Sequence, residues 1–144
     1  MEILKIENQL CFPLYALSRQ VTSHYKPLLE ELDLTYPQYL VMLLLWEHQT
    51  LSVKELGDRL MLDSGTLTPL LKRLEQKKIV SRIRSKEDER VVLISLTDSG
   101  LMLKSRAKEV PAKIQCSLEL SDEEISLMRS QLLRILDKIK KSSI

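Results

Sequence analysis

The sequence predicts a mainly helical fold with a small β-hairpin wing: a winged helix-turn-helix whose N- and C-terminal helices form a dimerisation region. Three observations predict it. Two helix-start signals, at Ser52 and Asp63, follow one another closely and are succeeded by two β-branched runs. Apolar residues recur at helical spacing towards both chain ends. Only three glycines occur in 144 residues, which favours helix over a turn-rich β architecture. By length this is one domain, in which residues 35–97 make the winged helix-turn-helix and residues 1–34 and 98–144 supply the dimerisation helices.

The first helix is expected from Asn8 to Leu32. Leu10, Leu14, Leu17, Val21 and Tyr25 form its stripe, Asn8 is its cap, and Pro27 marks a bend. Thr35 caps a second helix, with Pro37 in its first turn and the Leu40–Trp46 block entering the core. Ser52 and Glu55 form a capping box ahead of Val53, Leu56 and Leu60. After the short Met61–Leu62 connection, Asp63 or Ser64 caps a longer helix that buries Leu67, Leu70, Leu71 and Leu74.

The opposite face of that helix is small, polar and basic, as a helix laid in the DNA major groove requires. It supplies the candidate DNA-contacting residues Ser64, Gly65, Thr66, Thr68, Pro69, Lys72, Arg73 and Gln76. Pro69 removes one backbone hydrogen bond, and Gly65 four residues earlier lets the backbone adjust and leaves room for a phosphate or base edge. Ile79–Arg84 and Val91–Leu96 then form a hairpin with a charged tip. From that tip Lys86, Asp88 and Arg90 join the DNA-contacting set: Arg90 is suited to a minor groove, and Asp88 to aiming its guanidinium. Thr97 or Asp98 opens a helix running towards Leu118, interrupted at Pro111. Ser121 and Glu124 box the start of the last helix, whose Ile125, Met128, Leu132, Leu136 and Ile139 recur every three or four residues.

The net charge of +2 does not by itself announce a nucleic-acid partner. Its distribution is more telling: ten basic and seven acidic side chains lie between Ser52 and Thr97, against twelve and thirteen elsewhere. That bias sits where the reading motif sits, and a dimer doubles it. No apolar run is long enough for a membrane span and no signal peptide is evident, so a cytoplasmic protein is expected.

Cys11 and Cys116 are the two cysteines, outside any zinc-ligand grouping, so neither a metal nor another cofactor is expected. A cysteine in the first turn of a helix faces the positive end of the dipole, which favours the thiolate that peroxides attack. On the residues alone, Cys11 is either such a thiolate or a small buried hydrophobe. All four tyrosines, Tyr15, Tyr25, Tyr36 and Tyr39, lie in the first 40 residues, and phenols converging on a sulfur would stabilise its anion.

Asp88, Arg90, Ile94, Leu96 and Thr97 spell a D-x-R-x-x-x-I-x-L-T wing that resembles the MarR family of transcription regulators. The run from Asp63 to Glu75 is similar to the recognition helix of the organic-hydroperoxide-sensing, OhrR-like repressors. Cys11, Tyr15, Tyr25 and Tyr36 fit the sensor of that branch. The resemblance implies a homodimer on an inverted-repeat operator in double-stranded DNA, with an organic hydroperoxide as signal and phenols supplied partly by the opposite subunit. Tyr25 and Tyr36 would bind the sulfur, Tyr15 more weakly. It further implies that Cys116 is the resolving cysteine of a two-cysteine repressor, and that Asp63 pairs with Arg90. Such a protein is not an enzyme.

Other readings remain open on the sequence: a regulator controlled by a small lipophilic ligand, a redox regulator of virulence or resistance genes, a thiol peroxidase, or a DNA-architectural protein.

Overall fold

A computed structural model describes residues 2–142. They fall into two compact units, one ending at Val110 and the other beginning at Pro111. In the first, two 3-10 turns, Glu2–Leu4 and Ile6–Asn8, lead into α1 (Cys11–Glu30) and α2 (Tyr36–His48). There follow β1 (Thr50–Ser52), α3 (Val53–Leu60), α4 (Ser64–Gln76), β2 (Val80–Arg84), β3 (Val92–Leu96) and α5 (Asp98–Ala107). Beyond them come α6 (Val110–Leu118) and α7 (Asp122–Ser142).

The α1 start differs from the expectation. Asn8 does not cap it: the Asn8 side-chain amide donates to the Glu2 carbonyl at 2.7 Å, and the residue before α1, Leu10, offers no side-chain cap. Asn8 instead ends the second 3-10 turn, two residues ahead of the position that flanks α1. Cys11 is nevertheless the first helical residue. Pro27 lies inside α1 without ending it.

The helix starts around the reading unit follow their capping side chains. Thr35 with Gln38 and Ser52 with Glu55 form reciprocal boxes, and the Asp63 carboxylate accepts the Thr66 amide at 2.7 Å. Met61, in the left-handed region at φ 55, turns the chain between α3 and α4. The sheet has three strands in the order β1-β3-β2, all antiparallel, so the hairpin gains a third, short strand that periodicity does not announce. Val80 lies opposite Leu96 and Arg84 opposite Val92, and Leu51 on β1 lies opposite Ile94.

Val41, Met42, Leu45, Leu56, Leu67, Leu71, Leu74, Val80 and Ile94 form a core almost free of solvent. The wing base is locked onto α5. Thr97 donates its hydroxyl hydrogen to the Lys78 carbonyl at 2.7 Å and accepts the Gly100 amide at 3.1 Å, so one side chain closes the wing and opens the next helix. Gly100 is required there, because a Cβ would stand 2.1 Å from the Ile79 carbonyl oxygen. Its carbonyl accepts the Trp46 indole N–H at 2.9 Å.

The helix after the wing ends at Ala107, before Pro111, and α6 starts at Val110. Pro111 thus falls in a first turn, where its missing N–H costs no hydrogen bond. In the second unit, Ser121 and Glu124 exchange both capping bonds at the start of α7, at 2.8 and 3.1 Å. Among the described residues, Leu14 and Leu17 on α1, Leu10 just before it, and Leu127, Leu132, Leu133 and Leu136 on α7 are exposed.

Candidate nucleic-acid interface and thiol sensor

Once α4 buries Leu67, Leu70, Leu71 and Leu74, helical geometry turns the other face outward. Ser64, Gly65, Thr66, Pro69, Lys72, Arg73 and Gln76 are exposed there, and Thr68 is half-buried at the margin. α4 continues through Pro69. A Cβ on Gly65 would meet only the Asp63 carboxylate oxygen, at 3.2 Å, so the surface above this turn is open. Bonding to the Thr66 amide holds the Asp63 carboxyl below the usual carboxylate range and keeps it ionised at the helix N-terminus.

The wing tip is organised by its own charges. Asp88 grips Arg90 through both carboxylate oxygens, at 3.2 Å from Nε and from Nη2, and also accepts the Arg90 amide at 3.0 Å. These bonds, the side-chain contact first, lower the Asp88 carboxyl. The Arg90 side chain remains 91% exposed, so it is aimed outward rather than docked on the protein. The expected Asp63–Arg90 pair is replaced by this one: the nearer carboxylate takes the guanidinium, while Asp63 serves the α4 cap. Lys86 is exposed beside them. Arg84, which the sequence reading does not single out, spans the tip by donating to the Glu89 carbonyl at 3.0 Å. Its place at the end of β2, five residues from that carbonyl, is the signal available.

Cys11 opens α1 and is exposed; Cys116, on α6, is exposed as well. Tyr15 lies one turn after Cys11, with the Arg19 guanidinium 5.5 Å from its ring centre. Tyr25 and Tyr36 do come together, their rings 5.1 Å apart. Tyr39, three residues after Tyr36 and so on the same face of α2, extends the cluster at 5.8 Å from Tyr25 and meets Trp46 edge-on at 6.4 Å. Burial pushes up the hydroxyl pKa of Tyr25, with the neighbouring Tyr36 adding to it, and burial alone does so for Tyr36. Tyr39 is pushed up to about 12, by burial first and then by Tyr25 and Tyr36. All three phenols therefore remain protonated donors at neutral pH.

Cys11 and the Tyr25–Tyr36 pair do not form one site within a chain. Tyr25 follows Cys11 by fourteen helical residues, which at 1.5 Å of rise each is ~21 Å along α1. Tyr36 also lines a cleft of about 330 Å³ with Thr22, Lys26, Leu29 and Leu34. Among the described residues no group of three or more His, Cys, Asp or Glu side chains could hold a metal ion, and no helix is long and apolar enough to cross a membrane.

Residues 23–107 match the family model for the transcriptional regulator SarA/Rot. The chain is 54% identical over 136 residues to the organic hydroperoxide resistance transcriptional regulator of Bacillus subtilis, covering 94% of this chain and 92% of that one. It also resembles AbfR, a protein of Staphylococcus epidermidis. Against reduced AbfR bound to DNA the TM-score is 0.79 at 37% identity, with 96% of each chain covered. Against the disulfide-formed AbfR it is 0.64 at 37% identity, covering 97% and 95%. With its winged helix, its wing signature and these relatives, the chain belongs to the MarR-like SarA/Rot family of transcriptional regulators, in the branch of the organic hydroperoxide regulators.

Proposed function

We infer that this chain is a homodimeric repressor that binds an inverted-repeat operator and releases it when an organic hydroperoxide oxidises Cys11. The observation that carries this reading is the ~21 Å of helix between Cys11 and Tyr25, which lets the Tyr25–Tyr36 pair reach the sulfur only from a second copy. The exposed leucines of α1 and α7 supply the apolar surface for that copy, and residues 1–34 and 98–144 form the dimerisation region. Residues 35–97 read DNA, with α4 in the major groove and Arg90 in the adjacent minor groove.

The chemistry balances in two steps. The Cys11 thiolate attacks the peroxide's outer oxygen, the O–O bond breaks, an alcohol leaves, and Cys11 becomes a sulfenic acid. The Cys116 thiolate of the other subunit then attacks that sulfur. An S–S bond forms and the oxygen departs as water. Protonated Tyr25 and Tyr36, with Tyr15 as a lesser partner, donate to the sulfur in its anionic form. The leucine-lined cleft beside Tyr36 favours an organic over an inorganic peroxide. Disulfide geometry tolerates little error, so closing the bond shifts helices and displaces the two reading heads from half-sites about 34–36 Å apart. That AbfR in its reduced DNA-bound and disulfide forms matches this chain to different degrees supports a shape change of this kind. Free thiols of this sort suit the reducing cytoplasm, where we place the protein.

Non-reducing electrophoresis after stoichiometric cumene hydroperoxide, with DNA binding followed on the same samples, tests the switch. A reversible dimer band that needs both Cys11 and Cys116, together with DNA release, is the expected result. Release that survives Cys11→Ser would overturn it and favour control by a lipophilic ligand in the Tyr36 cleft.

A further inference from the structure

The turn that follows the sensor helix is held by two cations, Lys77 at the end of α4 and Arg106 on α5. α1 closes in a left-handed turn, with Asp33 at φ 54 and the Leu34 amide returning to the Leu29 carbonyl at 3.0 Å. α4 closes alike, with Lys78 at φ 63 and the Ile79 amide returning to the Leu74 carbonyl at 3.4 Å. Such ends leave carbonyl oxygens in need of donors and favour positive charge.

Lys77, the residue that closes α4, brings a cation and its donors to the turn that follows α1. Its ammonium donates to the Asp33 carbonyl, stands 3.6 Å from the Asp33 carboxylate, and donates to the Gln38 amide oxygen at 3.3 Å. Gln38 is 2% exposed, and the same oxygen accepts the Thr35 amide at 3.0 Å. Lys77 is therefore built into the cap that sets the first turn of α2, where Tyr36 lies. From α5, Arg106 donates to the Glu31 carbonyl. Between these arms is a cleft of about 410 Å³, lined by Asp33, Lys77, Ser99, Met102 and Arg106.

We propose that Lys77 is a positioning residue that couples the sensor to the DNA-reading helix, carrying a shift of α1 and the Tyr36 turn to the C-terminal end of α4. The physical reason is the placement of its donors. One ammonium joins the turn that follows α1, the first turn of α2 and the C-terminal end of α4, and charge-assisted bonds resist stretching more than neutral ones. Tyr25 rides on α1 itself and Tyr36 on the first turn of α2. When the α1 helices move during disulfide closure, the Lys77 bridge obliges α4 to follow. The proposal rests on the redox reading above.

The test compares the wild-type protein with Lys77→Met, which keeps the stem and removes charge and donors, and with Lys77→Arg, which keeps both. Arg106→Met, at an exposed position, is a second variant should Lys77→Met fold poorly. The probe is a labelled duplex selected for binding to the reduced wild-type protein. Its affinity is measured before and after cumene hydroperoxide, alongside thermal unfolding and the rate of Cys11 oxidation. The ratio of oxidised to reduced dissociation constants should fall at least about fivefold in Lys77→Met and return in Lys77→Arg, with the oxidation rate unchanged. Arg106→Met should lower the ratio less. A Lys77→Met protein weakened equally in both redox states, or one retaining the wild-type ratio, overturns the proposal alone. A wild-type protein whose affinity ignores the hydroperoxide overturns the redox reading as well.

Discussion

The reading unit and the terminal helices handle their apolar surface in opposite ways. From Leu51 to Ile94 the leucines, valines and isoleucines of α3, α4 and the sheet close into a core within one chain, with Leu56, Leu67, Leu74 and Ile94 at 0% exposure. Leu14 on α1 is 51% exposed, Leu10 just before that helix 74%, and Leu133 on α7 58%. Both regions are written with the same helical periodicity. The difference lies in where the complementary surface is found: inside the chain for the reader and, in the dimer proposed above, on a second copy for the terminal helices. On that proposal the reading head holds its core within one chain, while the sulfur and the phenols meet only between two.

The largest effect should come from the exposed stripe. Leu17→Glu adds a charge at a position outside the chain's own core, 43% exposed, so the protomer should fold, yet dimerisation should fail. Operator affinity should then drop by the ~10²–10⁴ that two-site engagement supplies. Analytical ultracentrifugation beside DNA titration checks this, and a dimer that persists removes α1 from the interface. Inside the reader, Leu71→Ala should cost about 2–5 kcal/mol by cavity formation while leaving self-association intact, as denaturant unfolding would record. Arg90→Ala removes an outward guanidinium and nothing from the core. DNA affinity should fall roughly tenfold in both redox states with thermal stability unchanged. An unaltered affinity would remove the wing from the interface.

The smallest effect is in the tyrosine cluster and depends on pH. Because the folded pKa values of Tyr25, Tyr36 and Tyr39 are raised, the unfolded chain ionises first as pH climbs. Their contribution is complete below pH ~10 and is lost on the way to about 12, the value for Tyr39. Tyr39→Phe should flatten that alkaline decline, read by thermal unfolding with phenolate absorbance. A slope as steep as the wild type's would show that the cluster does not set it.

Much of this was legible beforehand, because the deciding interactions are local. The boxes at Thr35, Ser52 and Ser121 bind backbone three residues away, so four letters suffice to place a helix start. What escaped involves distant partners or local rivals. β1 spans three residues and is held by β3, more than forty residues later, so it has no periodicity of its own. Asn8 was taken up by a 3-10 turn that ends two residues ahead of the α1 N-cap position, and Arg90 turned to the nearer of two carboxylates. The tyrosines' grouping was foreseeable from their crowding in the first 40 residues. That Tyr39 would join Tyr25 and Tyr36, and that Cys11 would stand ~21 Å along the helix from Tyr25, became plain only with α1 and α2 in place.

The central claim is that sulfur and phenols meet across two copies, and mixed dimers test it most directly. One chain carries Cys11→Ser with its tyrosines intact; the other keeps Cys11 and carries Tyr25→Phe and Tyr36→Phe. The only Cys11 thiol in that heterodimer has neither Tyr25 nor Tyr36 on its own chain and both on its partner. Its rate of oxidation by cumene hydroperoxide, measured by thiol loss, should match the wild-type rate and exceed that of the homodimer lacking both phenols. A heterodimer as slow as that homodimer would contradict the claim.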